Sequence, residues 1–438
     1  MDLLTGKINK IYFKYLAAAW GSALIVSIYA LVDTIVIGRY EGPNGTAAVA
    51  NFMPMWSIMY ALGICFGIGG SVLLAQRRGA GKFEESNKYF TTSVILSVIA
   101  SAIIFIVYNL WARELLYLSG GRGAVLDLST KYCFYIAFAS PLFVIGQMLI
   151  PLVRVDGKPF ITTVAVIAGG VFNVFGDIYF VFGLDMGILG ASLATAIGQL
   201  ICIIILLGHI FSKKCKLRLN FKDLKLGKRI RQVVSTGSAT FIVDIAIGVV
   251  TILVNNQIMR YSGETALAVY GVISSYVTAV QSASYAVGES GQAIISTNYG
   301  AGNAKRVIGA RRVMLTTALV GGIFFCIIAM LFPNALLRLY MKPTAEVYAI
   351  GAGAIRLYCL DLIFLMFNIA STYYFQAVNR LKVSLVVSLA RGFFVNGLLV
   401  MLLPFIFGIN GVWIAIPVAE FIVAIYVVVM LRKKLVIK

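Results

Sequence analysis

Twelve mostly apolar stretches follow one another along the 438 residues, and each is long enough to cross a bilayer, which takes about 20 residues of helix. They are predicted at 15–38, 47–76, 89–112, 130–153, 161–183 and 188–211, then 233–258, 266–298, 313–335, 353–377, 383–407 and 411–431. The second and eighth are long enough to project beyond the bilayer. Hydrophobic residues make up 60% of the chain and charged residues 12%, where a soluble domain has about 25% charged. Mean hydropathy of +0.93 excludes a soluble globular fold. The expected class is an all-α polytopic membrane protein.

The longest charged run, Ser212 to Gln232, holds nine Lys or Arg residues against one acid, Asp223. Such a run belongs in water beside the membrane, and it divides the chain into six apolar segments before and six after. The predicted organisation is therefore a first lobe (1–211), a basic cytoplasmic connector (212–232) and a second lobe (233–438). The net charge of +20 would suit nucleic acid in a soluble protein. Here the basic residues sit in the gaps between apolar segments, so no nucleic-acid partner is expected; the bilayer is the partner. With alternating crossings, 28 of the 37 Lys and Arg residues fall on one side and 8 on the other, with Arg391 inside a segment. The excess predicts both termini in the cytoplasm of a multi-pass cell-membrane protein. The first segment has no persuasive processing site, so no cleavable signal is expected. Six scattered cysteines without CxxC spacing read as small apolar residues, with Cys215 incidental in the connector.

The two halves repeat each other. Gly67, Gly70, Gly79 and Gly81 recur as Gly288, Gly291, Gly300 and Gly302, always 221 residues on. The same offset carries Arg39-Tyr40-Glu41-Gly42 onto Arg260-Tyr261-Ser262-Gly263, and Gly187 and Gly190 onto Gly408 and Gly411. Parallel six-helix repeats predict a pseudo-two-fold axis along the membrane normal.

A charge inside a spanning segment costs at least about 2.5–3.5 kcal/mol, so it is a functional candidate. The embedded acids are Asp33, Asp177, Asp244, Glu289, Asp361 and Glu420. In the first lobe Asn173 and Asp177 lie four apart on one helix face, and Thr195 enters on the next segment at similar depth to Asp33. Four oxygen-bearing side chains from three segments thus fall at similar depth, on the outer side of the midplane. Oxygen ligands suit a hard cation such as Na⁺, and two neighbouring carboxylates in a poorly solvated cavity could instead carry protons. The bland alternative is a polar network that holds helices together. Tyr29 precedes Asp33 by one turn, and a ring beside a carboxylate suits an organic cation. Gln147 and Gln199 could add substrate contacts or simply bond across helices. In the second lobe, Asp244, Glu289, Asp361 and Glu420 are candidates of the same kind. His209, the single histidine, reads as an interfacial residue.

The segment SIYALVDTIVIGRYEGPNGTAAVA, then AQRRGAGK, RVDGKP and NVFGDIYFVFGLDMGILGASLAT, resemble the multidrug and toxic compound extrusion (MATE) transporters in order and spacing. The resemblance covers nearly the whole chain. It implies twelve helices in two six-helix lobes and cation-coupled export of amphipathic, drug-like molecules, with no cofactor beyond the coupling ion. It also implies a first-lobe cation site at Asp33, Asn173, Asp177 and Thr195, which would be Na⁺ ligands if Na⁺ is the coupling ion. Many members carry a proline in the first helix, whereas this chain has Ala17-Ala18-Ala19-Trp20-Gly21. The expected function is a monomeric antiporter driven by H⁺ or Na⁺. Alternatives are a flippase for lipid-linked precursors, which would favour cavity arginines, and a membrane-embedded enzyme, against which stands the lack of HExxH.

Overall fold

In lipid the backbone must satisfy its own hydrogen bonds, which helices do within one segment. The computed structural model describes residues 3–222, 226–341 and 343–433, without the side chains of 244, 245, 247–249 and 264. Among these residues every regular element is a helix. The helices are α1 (Ile8–Glu41), α2 (Pro43–Gly79), α3 (Phe83–Leu118), α4 (Gly123–Val155), α5 (Pro159–Ile178), α6 (Ile188–Ile210) and α7 (Leu226–Gly300). After them come α8 (Ala304–Leu331), α9 (Pro333–Tyr340), α10 (Ala345–Tyr358), α11 (Asp361–Ala377), α12 (Leu381–Leu389), α13 (Val395–Phe407) and α14 (Ile409–Arg432).

Thirteen of these helices make twelve crossings in two pseudo-symmetric six-helix lobes, α9 being only 8 residues long and too short to cross. Helix α7 leaves helical geometry at Gly263 and so supplies two crossings. Helices α10 and α11 form one crossing, and α12 and α13 another through the π-turn Ala390–Phe394. Eleven crossings are long and apolar enough by their described residues; the remaining one is the part of α7 before Gly263. The predicted ninth segment, 313–335, is interrupted at Phe332. Pro333 has no N–H to continue α8 and restricts the residue before it, so a new short helix begins there.

The internal repeat is written into the backbone angles. Gly42 (φ 70°, ψ −157°) matches Gly263 (φ 73°, ψ −163°), and Gly187 (φ 55°, ψ −141°) matches Gly408 (φ 58°, ψ −139°). Positive φ at these turns is costly for any residue with a Cβ. Close packing repeats as well. A Cβ at Gly70 would collide with Ser93, and one at Gly291 with Met314, again 221 residues apart.

By its internal contacts the chain divides into one unit of Met1–Gly6 with Lys14–Phe241, and another of Lys7–Phe13 with Ile242–Lys438. The division falls within α7. Its first turns belong with the first unit: the Tyr89 hydroxyl donates to Gln232 Oε1 at 2.8 Å. Gly69 of α2 and Gly237 of α7 bring the two backbones so close that a Cβ on either would overlap the other helix. Large side chains such as Leu24, Leu110, Phe175 and Ile406 point outward, as expected where the surrounding solvent is hydrocarbon.

Helix α1 is unbroken, with no proline inside it. Instead, the Ala18 carbonyl accepts from two hydroxyls, Thr163 Oγ1 of α5 at 2.7 Å and Ser22 Oγ at 3.2 Å. Gly21 faces the same Thr163, whose methyl would lie 3.3 Å from a Cβ placed there. Hydroxyl bonds back to helix carbonyls bend helices, so this α1–α5 contact is a local place for α1 to flex without a proline.

Candidate functional site

Three helices bring the first-lobe candidates together. Helices α5 and α6 cross where Gly169 and Gly198 face each other. A Cβ on Gly169 would lie 2.5 Å from the Gly198 carbonyl, and one on Gly198 2.7 Å from the Gly169 carbonyl. Small residues permit such an approach in membranes. One turn on from Gly169, Asn173 Nδ2 donates to Thr195 Oγ1 at 3.0 Å. At the far end of the lobe, Glu41 accepts from the Ile188 N–H at 3.2 Å, capping α6 from the end of α1. Tyr40 donates to Asp185 at 2.5 Å beside it. Those two contacts tie the start of α6 and the turn before it to the end of α1.

Asp33, Asn173, Asp177 and Thr195 are all buried. Asp33 Oδ2 accepts from the Tyr132 hydroxyl of α4 at 2.6 Å. Tyr132 is within electrostatic range of both Asp33 and Asp177, and the two carboxylates interact with each other. Asp33 Oδ1, Asn173 Oδ1 and both carboxylate oxygens of Asp177 are buried with no hydrogen-bond donor among the described residues. A buried acceptor without a partner is costly, and four in one cluster make an oxygen-rich place that a cation or protons would satisfy. Tyr132 was not legible beforehand. It is one of 22 tyrosines, and nothing in its neighbourhood along the chain marks it.

The three other first-lobe candidates differ in role. Tyr29 packs its ring against Gly170 of α5 and lies within electrostatic range of Asp33. Gln199 donates to the Leu142 carbonyl at 3.1 Å, which is the cross-helix bond of the bland reading. Gln147 is half-buried where α4 meets Gly63 of α2.

In the second lobe, Asp361, Arg391 and Glu420 line one cavity of about 100 Å³ with Tyr270, Tyr358 and Asn396. Arg391 holds Glu420 Oε1 through Nε and Nη2, both at 2.8 Å. Asn368 Nδ2 donates to Glu420 Oε2 at 2.6 Å. The π-turn leaves the Arg391 carbonyl to accept from the Asn396 side chain. Glu420 is thus fully engaged, while Asp361 Oδ1 has no donor among the described residues. Glu289, half-buried in α7, is not among the residues lining this cavity. The Asp244 side chain lies outside the described residues.

His209, in the last turn of α6, is held in place. It is 5% exposed, with Nε2 3.0 Å from Asp156 Oδ2. Asp156 Oδ1 accepts from Arg78 Nη1 at 2.7 Å. Cys215, expected to be incidental, is 4% exposed beside them.

Two six-helix repeats with buried carboxylates and few embedded bases define a polytopic carrier of the twelve-helix, two-lobe kind. The MatE family profile matches residues 19–179 and 238–402, and the chain belongs to that family, the multidrug and toxic compound extrusion transporters. The multidrug export protein MepA of Staphylococcus haemolyticus is 22% identical over 419 residues, covering 95% of this chain and 92% of that protein. MepA of Staphylococcus saprophyticus is 24% identical over 253 residues, 58% of this chain and 56% of that protein, so there the match spans little more than half of the relative. Among solved structures, an outward-facing multidrug resistance MATE transporter superposes with a TM-score of 0.91 at 20% identity, covering 98% of this chain and 96% of the other. The Vibrio cholerae MATE transporter VcmN, solved as a point mutant, gives 0.89 at 19% identity over 98% of both chains.

Proposed function

We propose that this chain is a secondary antiporter that exports amphipathic, preferentially cationic compounds in exchange for inward H⁺ or Na⁺. Asp33 and Asp177 hold the coupling ion, and Asn173 and Thr195 complete its shell. The observation that carries the reading is the group of buried oxygens on Asp33, Asn173 and Asp177 that lack donors. The names of the relatives, multidrug export proteins, support the substrate class. Arg391, within the eleventh predicted segment, is engaged by Glu420, which argues against its capturing a lipid diphosphate. The deciding experiment is drug efflux from proteoliposomes under a Na⁺ or pH gradient imposed separately. Efflux that needs neither gradient would rule out antiport.

Embedded acids outnumber embedded bases, and Tyr29 neighbours Asp33, so lipophilic cations should bind better than anions of similar size. Competition between matched cationic and anionic dyes for the purified protein reads this directly. Tighter anion binding would reverse the assignment.

Both termini and the connector are assigned to the cytoplasm of the cell membrane. All six native cysteines are buried, so a cysteine introduced at an exposed position reports its side. Asn44→Cys is expected to react with an impermeant thiol reagent in intact cells, and Lys222→Cys only after lysis. The opposite pattern would invert the topology.

A further inference from the structure

We propose that the connector end of the first lobe carries a site for a zinc-type divalent metal, held by Asp156, His209 and Cys215. These residues come from three separate segments: the cap of α4, the last turn of α6 and the connector. One ligand atom of each lies within 4.8 Å of the other two, and the imidazole and carboxylate are already 3.0 Å apart. The Asp156, His209 and Cys215 side chains are all buried. A carboxylate oxygen, an imidazole nitrogen and a thiolate form the mixed donor set that zinc accepts at about 2.0–2.3 Å. Ligands around such a metal lie roughly 3.5 Å apart, so shifts of about an ångström would close the site.

The surroundings already orient the carboxylate. Arg78 holds Asp156 Oδ1 at 2.7 Å, and the Lys216 N–H donates to both carboxylate oxygens, at 3.3 and 3.2 Å. Partners of this kind fix ligand geometry in metal sites. A bound metal takes the place of the Cys215 thiol proton, which leaves to solvent. The bound metal would tie the start of the connector to the ends of α4 and α6. None of these residues belongs to the Asp33 cluster, and the site does not depend on the transport reading.

The test is cobalt(II) titration of the metal-free, full-length protein in detergent, purified without a polyhistidine tag. The parent protein is expected to take up one equivalent, show a thiolate-to-cobalt charge-transfer band and release the cobalt to zinc. Cys215→Ser should lose the band. His209→Ala should bind at least about tenfold more weakly, because even losing a supporting partner costs about 10–100-fold. No uptake by the parent protein, uptake without the thiolate band, or a band that persists in Cys215→Ser would each overturn the proposal. The parent measurement decides even if a variant fails to fold.

Discussion

Asp33→Asn is expected to abolish gradient-driven efflux, down to the level of protein-free liposomes, while protein yield and thermal unfolding stay near those of the parent. The amide keeps the size of the side chain and an oxygen that can still accept from the Tyr132 hydroxyl, now 2.6 Å from Asp33 Oδ2. What it removes is the charge. With one carboxylate gone, Asp177 no longer interacts with a second carboxylate, and the attraction for a cation falls. Binding of the coupling ion and of a substrate cation are then no longer opposed through the same charge. That opposition is the linkage an antiporter needs, since a ligand shifts a conformational equilibrium only by its differential affinity. Asp361→Asn in the second lobe should be milder. Efflux that survives Asp33→Asn but fails in Asp361→Asn would move the coupling site to the second lobe.

The sequence carried the architecture because lipid leaves so few choices. Apolar segments of spanning length can only be helices or barrel strands, and the 221-residue offset of the glycines announced the two lobes. The structure turns that offset into matched dihedral angles at Gly42 and Gly263. Depth along each segment grouped Asp33, Asn173, Asp177 and Thr195, because rise per residue is fixed in a helix. Rotation about the helix axis is set by packing partners instead. That is why Tyr132 could not be picked out, why Gln199 proved to bond a backbone carbonyl, and why Glu420 proved to be locked to Arg391. The Asp156–His209–Cys215 group was hidden for a related reason. Its members are 53 and 6 residues apart along the chain, and only the return of the connector beneath α4 and α6 brings them together.

Gly198→Leu should disable transport and destabilise the first lobe together, through geometry alone. Gly198 carries no function of its own; it allows α6 to approach α5 until each glycine meets the other's carbonyl. A leucine there places four carbons where the Gly169 backbone stands, with the next nearest neighbour being Asn173 Cβ. Overpacking typically costs about 1–3 kcal/mol, and more is expected where the obstacle is backbone that cannot rotate away. The helices must part, and the 3.0 Å Asn173–Thr195 bond one turn away cannot survive that separation. Gly208→Leu is the matched control on the same helix, since a Cβ there meets nothing within 4 Å. Its unfolding temperature and efflux should stay at parent values, while Gly198→Leu should lower both and Gly198→Ala should fall between. Parent-like unfolding and efflux in Gly198→Leu would show that the α5–α6 crossing does not position the site.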